Sequence, residues 1–139
     1  MKLRPAGLTL ICRAADVPHF TAWGLTVTRL RGEMADLKLA QADSDSYADL
    51  CQAAEAGLFF YGYATRSRYG GPVVFASDGR QCIEAQAGDD PFPTARLLDN
   101  GFPDSSELTR GRAYCRCLAV AVAALPEEAP CVPTLPAEL

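Results

Sequence analysis

Six cysteines and one histidine are the residues of this chain whose types could support covalent or metal chemistry. His19 could act as base to a thiol nucleophile at Cys12 or Cys51, the pairing a small hydrolase or transferase would use. Yet His19 sits among Val17, Pro18 and Phe20, a setting that suits a loop histidine with a local hydrogen bond. Cys12, Cys51, Cys82, Cys115, Cys117 and Cys131 form no CxxC pair. Cys115 and Cys117, the one close pair, would point about 200° apart on a helix and could not face one ion together. Four of the six fall in periodic apolar segments, where a thiol behaves as a small hydrophobe. The expectation is reduced packing cysteines, with no catalytic residue, no metal and no cofactor.

Arg66, Arg68 and Tyr69 make a basic-aromatic patch in the turn that ends at Gly71. Such a patch could stack on nucleotide bases or engage an acidic protein surface. Its Gly70-Gly71 pair leads into a strand, so the helix N-terminus of a phosphate site is missing. Arg13, Ser67 and Glu84 have the strand order of an ADP-ribosyl-transferase-like site, without flanking residues that carry a signature. Glu33, Asp36, Asp43, Asp45, Asp49 and Glu55 gather negative charge, which suits a solvated face.

The elements that must position these residues centre on Gly57 to Ala87. Six of the chain's aromatic residues lie there: Phe59, Phe60, Tyr61, Tyr63, Tyr69 and Phe75. Residues 58–65 alternate as a strand, with Phe59, Tyr61 and Tyr63 on one face and Leu58, Phe60 and Ala64 on the other. Val73 to Ser77 runs back, Pro72 marking its start. If residues 67–70 form the connecting loop, Gly62 falls opposite Phe75, whose ring could cover the missing side chain. Asp78-Gly79 is a strong hairpin signal; as a two-residue loop it would set Phe75 opposite Cys82 and Val74 opposite Ile83.

Before this meander, residues 7–15 alternate as a first strand that Pro18 ends, with a connection over residues 16–22. Residues 23–31 and 35–39 suit two further strands. A two-residue Gly32-Glu33 loop would pair Arg29 with Asp36, a three-residue one Arg29 with Leu37. Asp43 to Ser46 offer N-caps for a helix whose apolar stripe is Tyr47, Leu50, Cys51 and Ala54, closed by Gly57. Residues 88–103 carry three prolines and no clean period, a length of connection that is often functional or mobile. Its Phe92, Leu97, Leu98 and Phe102 either strap over the sheet edge or contact a partner. Asp104 to Glu107 has capping-box spacing. The helix that follows ends at Pro126, with a possible break at Gly111 and a strand over 112–123 as its rival.

The result is an α+β chain in βββαβββα order: one domain over 1–125, a mainly antiparallel sheet of five to six strands, two helices on one face. Residues 126–139 form a Pro-rich tail, expected to be extended or disordered. A net charge of −4 is of the wrong sign for general nucleic-acid binding. No apolar run nears the roughly 18 residues of a membrane span, and no secretory leader is evident, so a cytoplasmic protein is expected. The leading expectation is a non-enzymatic protein-interaction module, a small adaptor, regulator or inhibitor, binding through Arg66, Arg68, Tyr69, Phe92 and Phe102. The alternatives are the cysteine/histidine enzyme and weak nucleic-acid binding at the 66–71 tip.

Overall fold

The computed structural model describes residues 7–40, 44–65 and 71–125. Six strands form one antiparallel sheet: β1 (Leu8–Arg13), β2 (Thr26–Arg31), β3 (Met34–Leu39), β4 (Phe59–Ala64), β5 (Val73–Asp78) and β6 (Cys82–Gln86). Their spatial order is β2-β3-β1-β4-β5-β6, so β2 and β6 are the edges. The helices are α1 (Val17–Thr21), α2 (Ser44–Glu55) and α3 (Ser105–Ala124). The α+β class and the single antiparallel sheet are as the sequence implies. Among the described residues no helix is long and apolar enough to cross a membrane. The 126–139 tail lies outside the described residues.

The helices do not share a face, contrary to expectation. Leu50, Ala53 and Ala54 of α2 pack with Leu10, Cys12, Phe60 and Phe75, whereas Tyr114 and Cys117 of α3 pack with Val74, Ala76 and Ala85 on the opposite side. β5 explains why: every residue from Val73 to Ser77 is buried, so both faces of that strand require cover. The long connection between β6 and α3 carries the chain around the sheet edge to reach the second face.

Local chemistry settles the rest. Gly57 ends α2 with φ +91°, the Gly57 N–H donating to Ala54 O and the Leu58 N–H to Ala53 O. That pair of bonds is a Schellman cap. Residues 16–22 are not a plain connection: a 3₁₀ turn (Ala14–Asp16) runs into α1, with Pro18 in the first helical turn where its missing N–H costs nothing. Phe20 is thereby buried edge-on against Phe60, ring centroids 5.5 Å apart. The Gly32-Glu33 loop has two residues, pairing Arg29 with Asp36; a bulge between Val27 and Arg29 shifts the register beyond it. The ion pair, however, joins Asp36 to Arg31 at 2.7 Å.

The β5–β6 turn lies one residue later than expected, which moves every cross-strand partner by two. Phe75 pairs with Glu84 and Ser77 with Cys82. Asp78 belongs to the strand, and its Oδ1 accepts the N–H groups of Arg80 and Gln81, so the loop is Gly79-Arg80. Gly79, at φ +85°, takes the first central position, and a Cβ there would lie 2.8 Å from the Phe59 ring. α3 runs unbroken through Gly111, and residues 112–123 are helix rather than strand.

Candidate functional site

The enzymatic reading requires a thiolate near a base; of its two candidate thiols, Cys51 is half-buried on α2 and Cys12 is poorly placed. Cys12 is fully buried on β1, and burial, reinforced by Asp16 and Asp36, pushes its thiol up to about 12. It is a protonated packing group at neutral pH. Burial likewise raises Cys82 and Cys117. His19 is exposed on α1, its ring edge-on to Phe20. Arg13 projects from the face carrying Phe59, over whose ring its guanidinium lies 5.3 Å from the centroid. Glu84, paired with Phe75, is on the other face, so Arg13 and Glu84 cannot act on one ligand. Ser67 lies outside the described residues. Among those described, no group of three or more His, Cys, Asp or Glu side chains could hold a metal ion.

Of the five partner-binding candidates, Arg66, Arg68 and Tyr69 lie outside the described residues. Phe92 and Phe102 are in the strap, residues 87–103, which borders β6 and returns to α3. The strap is short of regular structure but not of hydrogen bonds. Ala87 bridges Pro93, and Leu97 bridges Pro103. The Thr94 N–H donates to Gln86 O at 2.8 Å, and the Asp104 N–H to Arg96 O at 2.8 Å. Leu98 N–H to Phe102 O (2.8 Å) and Gly101 N–H to Leu98 O (2.9 Å) close a three-residue hairpin loop, Asp99-Asn100-Gly101, with Gly101 at φ +85°. Asn100-Gly101 was a legible turn signal inside a stretch that otherwise reads as irregular.

Glu107 fastens the strap to the helix. Asp104 caps α3 by accepting from Ser106 N–H and Glu107 N–H. The hydroxyl of Ser106 heads the hydrogen bonds that hold the Asp104 carboxyl below the usual carboxylate range. In a full capping box Glu107 would reach back to the cap residue. Here its Oε1 accepts the Arg96 N–H at 2.8 Å instead. The Arg96 guanidinium lies 3.6 Å from Oε2, and the Gln86 amide, turned with its nitrogen toward Glu107, donates to both oxygens at 3.2 and 2.6 Å. Sequence reading finds the capping spacing but not this use of it, because Gln86 and Arg96 approach only through the tertiary fold.

With its backbone so held, the strap leaves large apolar side chains in solvent. Phe92 is 67 % exposed, Leu97 71 % and Phe102 68 %, with Leu98 also exposed. Burying such a side chain is worth about 1.5–3 kcal/mol, which this fold leaves unclaimed at each. Between strap and α3 runs a groove of about 450 Å³ whose walls include Pro93, Ala95, Leu108 and Gly111, with Glu107 and, one turn apart, Arg112 and Arg116 as its charged residues. The arrangement offers apolar contact flanked by positive charge. Compared with known proteins, the chain matches no family model, no curated protein and no solved structure.

Proposed function

We propose that this protein is a non-enzymatic interaction module whose strap docks an apolar, acid-flanked surface of a protein partner, as a small adaptor, regulator or inhibitor does. The observation that supports this reading is the exposure of Phe92 and Phe102 on a backbone held by Glu107. Aromatic anchors on a pre-ordered loop lose little freedom on binding and favour interface hot spots. Arg112 and Arg116 supply the charge that would orient an acidic flank. Arg66, Arg68 and Tyr69 stay in the proposal as a second part of the contact. Cys12, Cys51, Cys82, Cys115 and Cys117 are all free thiols, which suits a reducing compartment such as the cytoplasm.

The test is a Phe92→Ser/Phe102→Ser variant, compared with the unaltered chain by thermal melting and by affinity capture from the native host. Both side chains are exposed, so the melting temperature should hold while a partner retained by the unaltered chain is lost. Capture of the same partners in equal amounts would overturn the proposal.

A further inference from the structure

The two sheet edges are finished differently. β6 is bordered by the strap, which hydrogen-bonds to Gln86 and bridges Ala87. At the other end, no described strand pairs with the outer side of β2. Such an edge presents unpaired backbone donors and acceptors to any extended chain. Every residue of β2 but Arg31 is exposed. The bulge between Val27 and Arg29 has a consequence for its side chains. Val27 pairs with Leu37 and Leu30 with Ala35, so both apolar residues lie on the face that carries the main core, although an unbroken strand would set them on opposite faces. Val27 is 39 % exposed and Leu30 65 %, so the core-side surface of this edge is unfinished. The opposite face of the strand carries Arg29, paired with Asp36, and Arg31, paired with Met34.

We propose that the open edge of β2 is a second docking site, taking an extended segment of another protein in which acidic and apolar residues alternate. Strand addition supplies main-chain hydrogen bonds along an edge, while side chains on the two faces of the added strand choose the ligand. Apolar residues of the incoming segment extend the core face beside Val27 and Leu30. Its acidic residues meet Arg29 on the other face, where Arg31 is already engaged by Asp36 at 2.7 Å. The site stands about 24 Å from the opposite edge, five strand spacings of about 4.8 Å. One molecule can therefore hold both partners at once, as an adaptor must.

The test titrates the full chain with a soluble peptide alternating Glu and Val, beside a Lys/Val peptide and a Glu/Val peptide N-methylated at alternate amides. The Glu/Val peptide should bind. Arg29→Glu should weaken binding about tenfold, as a favourable cross-strand charge pair becomes a repulsive one. Leu30→Lys should weaken it too, and N-methylation should abolish it. Both substitutions are at exposed positions; an unchanged melting temperature shows that the sheet is intact, and the N-methylated peptide tests the edge without any substitution. The Phe92→Ser/Phe102→Ser variant should bind the peptide normally, so failure of the strap reading leaves this one standing. No binding at about 1 mM peptide, equal binding of the Lys/Val peptide, or indifference to N-methylation would each overturn it. So would a dimer in sedimentation that Leu30→Lys dissolves, because a second copy would then own the edge.

Discussion

The Glu107 carboxylate accepts the backbone N–H of Arg96 at 2.8 Å, tying the first turn of α3 to the middle of the strap. A side chain in position to complete its own helix cap serves a segment eleven residues earlier instead. Glu107→Ala should therefore loosen the strap more than the helix. A hydrogen bond to a charged group contributes about 1.5–3 kcal/mol, discounted here because Arg96 is largely exposed; a loss of about 1–2 kcal/mol is expected. Hydrogen exchange at the Arg96 and Thr94 amides should accelerate while protection around Tyr114 persists. Equal acceleration at both places would show that the strap and the helix open as one unit.

Acid should act on the same corner. The Asp104 carboxyl is held below its ordinary range by Ser106 and the backbone N–H groups it caps. A group with a depressed folded value contributes stability above its unfolded value, lost as pH falls through the folded one. Asp104→Asn, which can still cap but does not titrate there, should flatten the stability profile below about pH 4. An unchanged acid limb would assign that loss to other carboxyls.

At the centre of the sheet, Gly62 pairs with Leu10 and with Phe75, and a Cβ there would lie 2.6 Å from Phe75 Cζ and collide with the Thr9 carbonyl. The backbone carbonyl cannot swing aside as a side chain can. Gly62→Ala should destabilise by about 3 kcal/mol, at the upper end for overpacking. Denaturant unfolding measures it, and a change below about 1 kcal/mol would mean that the strands part more easily than this packing implies.

Alkali should test Cys12. Its folded value is raised to about 12 by burial and the nearby acids, so the folded state holds the thiol proton more tightly than the unfolded chain does. The associated stability is complete below the unfolded value near 8.5–9 and declines as pH rises toward about 12. Thiol labelling at neutral pH should accordingly be fast at exposed Cys115 and limited by unfolding at Cys12. Rapid labelling of Cys12 in the folded protein would reopen the nucleophile reading.

How much of this was legible in the sequence varies with the range of the interaction concerned. Alternation fixed the buried set of β1, Leu8, Leu10 and Cys12, because a strand's two-residue period is local. Gly57 marked the end of α2, and the pairing of Gly62 with Phe75 followed from loop length, for the same reason. The Gly79-Arg80 loop was missed by one residue, and the pairing with it by two, because Asp78 can serve either inside a turn or as its hydrogen-bonding shoulder, and strand packing made the choice. Phe92 and Phe102 stood out by composition, but their exposure depends on where the strap lies.

Which face each helix covers, the diversion of Glu107 to Arg96 and the separation of Arg13 from Glu84 were left to tertiary structure. So was the unfinished core face at Val27 and Leu30, which a bulge in β2 creates. Each depends on residues distant in sequence meeting, or failing to meet, across a twisted sheet. Local period and turn chemistry limit such encounters, but only the packed chain selects among them.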